Sequence, residues 1–149
     1  MDQNTFTISR IDSFSPHTAD ALRSLAQQVG GKYQELTDDD IKEMLDSPMH
    51  NLFIASSSEG IVVGMILVLV YRIPYVRKAY LDDLVVDSDY RGHGIGTALL
   101  ESAITFAKEH GAAYADFTSR PERTSGNSLY EKLGFQKRET NIYRKIFNY

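Results

Sequence analysis

The 149-residue chain contains no cysteine. That excludes disulfides, thiolate metal sites and a cysteine nucleophile, and it suits a reducing cytoplasm. An excess of positive charge is also missing. The formal net charge is −4 at pH 7, which argues against general nucleic-acid binding, because that needs a clustered basic surface. Nor is there a long apolar run. The longest, IVVGMILVLVY from Ile61 to Tyr71, has 11 residues, well short of the ~20 a membrane helix needs, and is expected to be a buried strand. The opening MDQNTFTISRID has no basic segment followed by an apolar stretch, so neither a signal peptide nor a membrane partner is expected. No repeat, low-complexity tract or linker interrupts the sequence, and one domain spanning 1–149 is expected.

The local pattern alternates strands and helices. Thr5 to Ile11 alternates polar and apolar residues and reads as an edge strand. Ser15-Pro16 opens a helix with Ala21, Leu22, Leu25 and Val29 at helical spacing, stopped by Gly30-Gly31. Thr37 caps a second helix, with Asp40 as its capping-box partner and Ile41, Met44 and Leu45 as its apolar face. Asp38-Asp39-Asp40 resembles a metal cluster, but acids in a first helical turn are favoured by the macrodipole alone. Asn51 to Ser57 and Ile61 to Tyr71 read as strands about a turn at Ser58-Glu59-Gly60, followed by a strand from Arg77 to Val86. A helix from Ile95 to His110 buries Ile95, Ala98, Leu99, Ala103 and Phe106, and Gly111 stops it. Ala113 to Thr118 is a strand, Ser125 to Leu133 a short helix, and Gly134 to Arg138 with Ile142 to Phe147 a closing hairpin. The expected fold is α/β: a mixed sheet of about seven strands flanked by about four helices, in the order β-α-α-β-β-β-α-β-α-β-β.

Chemistry concentrates in Arg91-Gly92-His93-Gly94-Ile95-Gly96. A P-loop would require a lysine after its last glycine, and none follows. A dinucleotide fingerprint would require glycine where Thr97 stands, although Asp116 lies where a ribose-binding acid would. What fits is a Gln or Arg, two residues, a Gly, one residue, then a Gly or Ala. Such glycines let backbone N–H groups approach a pyrophosphate, the helix beginning at Ile95 directs its positive end at the same anion, and Arg91 adds a charged donor. His93, at a variable position of the loop, is expected to be exposed.

Three blocks in this order, AYLDDLVV (Ala79 to Val86), RGHGIGTALL (Arg91 to Leu100) and NSLYEKLGF (Asn127 to Phe135), strongly resemble the GNAT superfamily of acetyl-CoA-dependent N-acetyltransferases. FTSRPERTSGNSLYEKLGFQKRETNIYRK also resembles a bacterial GNAT subgroup of loosely defined substrate. The resemblance implies a sheet splayed beside the Ala79–Val86 strand, with the cosubstrate acetyl-CoA lying in the gap. The backbone of Leu84, Val85 and Val86 would pair with its pantetheine arm and supply an oxyanion-binding N–H. Arg91, Gly92, His93, Gly94, Ile95, Gly96 and Thr97 would hold its pyrophosphate. Tyr130 would be the general acid for the departing thiolate, with a core aromatic as the plainer reading of that residue. Asp82 and Asp83 are candidates for the base that takes the amine proton, or plain strand acids. They alternate in direction along a regular strand, so only one would face the acceptor unless a bulge intervenes.

This sequence departs from the superfamily at Arg123, where many members carry asparagine seven residues before the tyrosine. Asn127 is the asparagine it offers instead, and Arg123 is a candidate for the cofactor's phosphates. The amine acceptor, a small molecule or peptide, would meet the link Val29 to Asp40, the loop Arg72 to Lys78 and the final hairpin, with Tyr33, Glu35, Tyr71 and Tyr75 as candidate lining. The absence of cysteine favours a direct, ternary-complex transfer over an acyl-enzyme. A non-catalytic acyl-CoA-binding module is the alternative, and Tyr130 discriminates between them. His17, His50 and His110 share no ligand spacing, so no metal is expected. A homodimer through the C-terminal hairpin or a strand edge fits the superfamily by analogy.

Overall fold

The computed structural model describes residues 5–29 and 35–147. The chain divides into two units, Met1–Thr118 and Ser119–Tyr149. The first contains β1 (Phe6–Ile11), α1 (Pro16–Gln27), α2 (Asp38–Asp46), β2 (His50–Ser57), β3 (Val62–Ile73), β4 (Val76–Val86), a 3-10 turn (Ser88–Tyr90), α3 (Ile95–Glu109) and β5 (Ala115–Asp116). The sheet runs β1-β2-β3-β4-β5. Its first four strands are antiparallel neighbours, and β5 lies parallel to β4.

Local chemistry explains the helices. Ser15 caps α1, accepting from the Thr18 N–H at 3.2 Å, with Pro16 in the first turn, where its missing donor costs nothing. Thr37 and Asp40 form the expected capping box around the start of α2: Thr37 N–H donates to Asp40 at 2.8 Å, and Asp40 N–H donates to Thr37 Oγ1 at 3.1 Å. Asp38, Asp39 and Asp40 fill the first turn of α2, and among the described residues no group of acids or histidines is arranged to hold a metal.

Both faces of the sheet are covered, which is why β3 is apolar almost throughout. Ala19, Leu22 and Leu25 of α1 and Ile41 of α2 share one core with Leu52, Ile54, Met65 and Val85. Gly64 faces the other way. A Cβ there would lie 3.0 Å from Leu99 and 3.3 Å from Ile95, so the absent side chain lets α3 press onto the sheet. By alternation Ile66 and Val68 share that face, and both are fully buried. Along α3, Ile95, Leu99 and Ala103 are buried as expected, with Leu100 and Ala107. Phe106 and Ala98 are only half-buried, because Phe106 turns sideways to Phe53, where their ring centroids lie 5.4 Å apart.

The strand count differs from expectation. Among the described residues there are five strands, not seven, and β5 is confined to Ala115–Asp116 instead of extending from Ala113 to Thr118. The stretch expected to close as a hairpin, residues 134–147, carries no strand. Ile142, Tyr143, Ile146 and Phe147 there are exposed. A two-residue edge strand offers few free backbone groups to pair with, and a hairpin without a neighbouring sheet is only marginally stable. The loop expected from Arg72 to Lys78 is instead a two-residue turn at Pro74 and Tyr75 between long strands. In the second unit α4 (Thr124–Lys132) is the single regular element among the described residues.

Candidate active site

Strand β4 is irregular where the two aspartates stand. Leu67 pairs with Asp82 and Met65 with Val85, so Asp83 and Leu84 together oppose Ile66. This bulge puts Asp83 in the left-handed region, φ 49°, and it is the single non-glycine there among the described residues. Such a conformation costs an ordinary side chain on the order of 1 kcal/mol or more and tends to mark functional sites. The Asp83 N–H donates to the Asp82 carboxylate at 3.0 Å. The bulge cancels the simple alternation, so Asp82 and Asp83 both emerge at the surface while Val85 returns to the core. Although the Asp83 side chain reaches solvent, the protein around it partly desolvates the carboxyl, and this, followed by the neighbouring Asp82 carboxylate, pushes it above its ordinary value.

The bulge coincides with a gap. β5 pairs with β4 only at Ala79 and Tyr80, so among the described residues no strand meets the backbone groups of Leu81 to Val86 that face away from β3. Such a free edge can receive an extended ligand by main-chain pairing. Leu84 and Val86 flank it half-buried.

The glycine loop stands at the end of the same strand. Gly92 and Gly94 adopt φ of 83° and 82°. A Cβ on either would meet nothing within 4 Å, so open space lies beside both glycines. Gly94 is the N-cap of α3 and no side chain caps that helix. Helix geometry then leaves the N–H groups of Ile95, Gly96 and Thr97 without intrahelical acceptors, and together they fit an anion. Arg91 Nε donates to the Val86 carbonyl at 3.1 Å, which fixes the guanidinium beside the loop. His93 is half-buried, not exposed as expected.

The turn before this loop is braced by residues that sequence reading missed. Asp87 donates its N–H to Val63 O at 2.8 Å and accepts the Asp89 N–H at 2.9 Å. Gln28, the C-cap of α1, donates to Asp87 Oδ2 at 3.3 Å and accepts the Ser88 N–H at 3.1 Å. A glutamine at the end of an amphipathic helix reads as surface, so no local signal could have found it.

The described acceptor candidates stand on separate stretches of the chain. Tyr33 lies outside the described residues. Glu35 is exposed, next to Leu36, whose carbonyl accepts from Arg23 Nε at 2.7 Å. Tyr71 pairs with Lys78, ~16 Å along β4 from Asp83 at strand rise, and Lys78 Nζ sits over its ring. Tyr75 is 81% exposed at the turn tip. A groove of about 460 Å³ runs along α3, bounded by Phe53, Glu101, Thr105, Phe106 and Glu109, with no residue of the β4 bulge among its lining.

In the second unit Tyr130 lies half-buried on α4. Its ring meets Phe135 edge-on at 6.5 Å, and its hydroxyl lies 3.5 Å from where a Cβ of Gly126 would stand. Asn127 donates its amide to the carbonyls of Arg120 and Pro121, at 3.1 and 3.5 Å, so it shapes the loop before α4. Arg123 is exposed at the N-cap of that helix. Ser119 carries a buried hydroxyl without a partner, the kind of atom a ligand or water commonly satisfies.

A bulged, half-unpaired strand is thus followed by a glycine loop and a helix N-terminus. Residues 18–135 match the model of the acetyltransferase (GNAT) family, and the chain belongs to that family. N-acetyltransferase 8 of Homo sapiens is 31% identical over 130 residues, covering 83% of this chain and 57% of that protein. The matched stretch spans between 27% and 57% of the first two curated relatives, which come from an archaeon and from human. An aminoglycoside acetyltransferase from an uncultured soil metagenomic sample, solved with sisomicin, shares the fold with a TM-score of 0.83 at 18% identity, covering 97% of this chain and 98% of that one. AAC(6')-Iy, solved with a CoA-containing bisubstrate analogue, does so with a TM-score of 0.79 at 18% identity, covering 96% and 99%.

Proposed function

We propose that this chain is an N-acetyltransferase that moves the acetyl group of acetyl-CoA directly to a primary amine of a small molecule or peptide. The observation that carries this reading is the bulged free edge of β4 running straight into the Gly92–Gly94 loop, with open space beside both glycines. The pantetheine arm pairs with the backbone of Leu84 to Val86, and its pyrophosphate sits on the N–H groups of Ile95 to Thr97 with Arg91 beside them. The neutral amine attacks the thioester carbonyl, and a β4 N–H near Leu84–Val86 stabilises the oxyanion. Asp83 takes the amine proton. Its raised carboxyl pKa supports that choice over Asp82, because a base works best with a pKa nearer the working pH. The C–S bond then breaks, and Tyr130 gives its proton to the CoA thiolate. Family membership and the sisomicin-bound neighbour support an amine acceptor. Assignment to a bacterial subgroup rests only on the likeness of residues 117–145.

Calorimetric titration with acetyl-CoA tests the reading. Gly94→Glu places a carboxylate in the pyrophosphate cradle and should abolish binding. Gly60→Glu imposes the same left-handed strain in the β2–β3 turn, at φ 80° with open space around it, and should bind normally. A folded wild type that binds no acetyl-CoA would overturn the proposal.

A further inference from the structure

The glycine loop does not rest on its own strand alone. It springs from the turn Asp87-Ser88, and that turn is tied to a different element 60 residues away in sequence. Gln28 forms the tie with both ends of one planar amide: Nε2 donates to Asp87 Oδ2, and Oε1 accepts the Ser88 N–H. Asp87 spends its other oxygen on the Asp89 N–H and its own N–H on β3. Each donor in the bridge therefore meets one acceptor, and only glutamine at position 28 satisfies the set. A glutamate there would face the Asp87 carboxylate with no proton to share. Gln28 is also the C-cap of α1, at the start of the link to α2 on which Glu35 stands, while Arg23 of α1 donates to the Leu36 carbonyl.

We propose that Gln28 is a positioning residue for acetyl-CoA binding: it holds the Asp87-Ser88 turn so that the Gly92–Gly94 loop stands ready for the pyrophosphate, and it ties that turn to the C-terminal end of α1. The inference rests on the acetyl-CoA reading above. Gln28 touches neither cofactor nor acceptor; it acts through Asp87 and Ser88. Losing a bridge of this kind forfeits preorganisation worth about one hydrogen bond, a roughly five-fold change in affinity.

The bridge has a chemical mirror image that makes a stringent test. In Gln28→Glu combined with Asp87→Asn the amide and the carboxylate exchange places. The amide now at position 87 donates to the carboxylate now at position 28, and that carboxylate still accepts the Ser88 N–H. The amide oxygen at position 87 still accepts the Asp89 N–H, and the net charge is that of the wild type. Calorimetric Kd for acetyl-CoA is measured for the wild type, Gln28→Leu, Gln28→Glu, Asp87→Asn and the double variant, each beside its ligand-free melting temperature. The expected result is a Kd raised roughly five-fold in every single variant and restored to within about two-fold in the double one. Gln28→Leu separates loss of the bridge from added charge. A brace of the fold alone would lower melting temperatures and leave the Kd of the folded protein unchanged, and that pattern overturns the proposal. So does a double variant no better than its parents. A wild type that fails to bind acetyl-CoA sinks the cofactor reading itself, an outcome distinct from binding that is indifferent to Gln28.

Discussion

At the scale of single residues, Asp83 carries the sharpest consequences. A carboxyl whose folded pKa is raised prefers its neutral form in the fold, so ionising it costs stability as pH climbs through the raised value, and removing it at neutral pH costs none. A base, however, must be ionised to work. Asp83→Asn should therefore lower kcat by about 100-fold without lowering the melting temperature at pH 7; a variant that melts early and keeps its rate would point to a structural acid. Wild-type kcat/KM should fall on the acid side through a pKa higher than that of an ordinary aspartate. Asp82→Asn removes the like charge that helps hold Asp83 up, so that acid limb should move to lower pH. A limb that stays put would exclude Asp83 as its origin. Tyr130→Phe should cost ~100-fold or more in kcat with little change in acetyl-CoA Kd, whereas a chain that merely binds the cofactor would lose nothing.

At the scale of elements, α3 and β3 are coupled through Leu99, which is fully buried and closes over Gly64. Leu99→Ala should cost about 2–5 kcal/mol in denaturant unfolding, and a loss well under 1 kcal/mol would mean that α3 is not held by this contact. These elements were legible in the sequence because their signals are local: the Thr37–Asp40 spacing, the Ser15-Pro16 start, the apolar run of β3, and three glycines about the start of a helix. The resemblance of the three blocks to a known family gave the site its chemistry. What escaped is set by partners distant in the chain. The Asp82-Asp83 pair shows no sign of a bulge until β3 supplies one residue against two. The apolar residues of Ile142 to Phe147 suit a strand but do not state whether a neighbouring edge exists to pair with it. Gln28 and Asp87 lie in separate elements, and neither has a local pattern that points to the other.

At the scale of the whole molecule, the candidate machinery is divided between the units. The bulge and the glycine loop belong to Met1–Thr118, and Tyr130 to Ser119–Tyr149. Acetyl-CoA binding should stabilise the folded state. Acetyl-CoA at about 100 times its Kd contributes ~2.7 kcal/mol to the folded state, which for a chain of this size raises the melting temperature by roughly 5–10 °C. The informative measurement is amide exchange across the chain with and without acetyl-CoA, beside that melting shift. Slower exchange is expected in two places at once, at residues 84–97 and at residues 119–130. Protection limited to residues 84–97 would mean that the first unit binds the cofactor by itself, with no part played by Tyr130 or Arg123. Arg123→Ala refines the result: a phosphate contact predicts a weaker Kd whose dependence on salt is also reduced, because one fewer ion is released on binding, while a purely local role in α4 predicts no change in the salt slope.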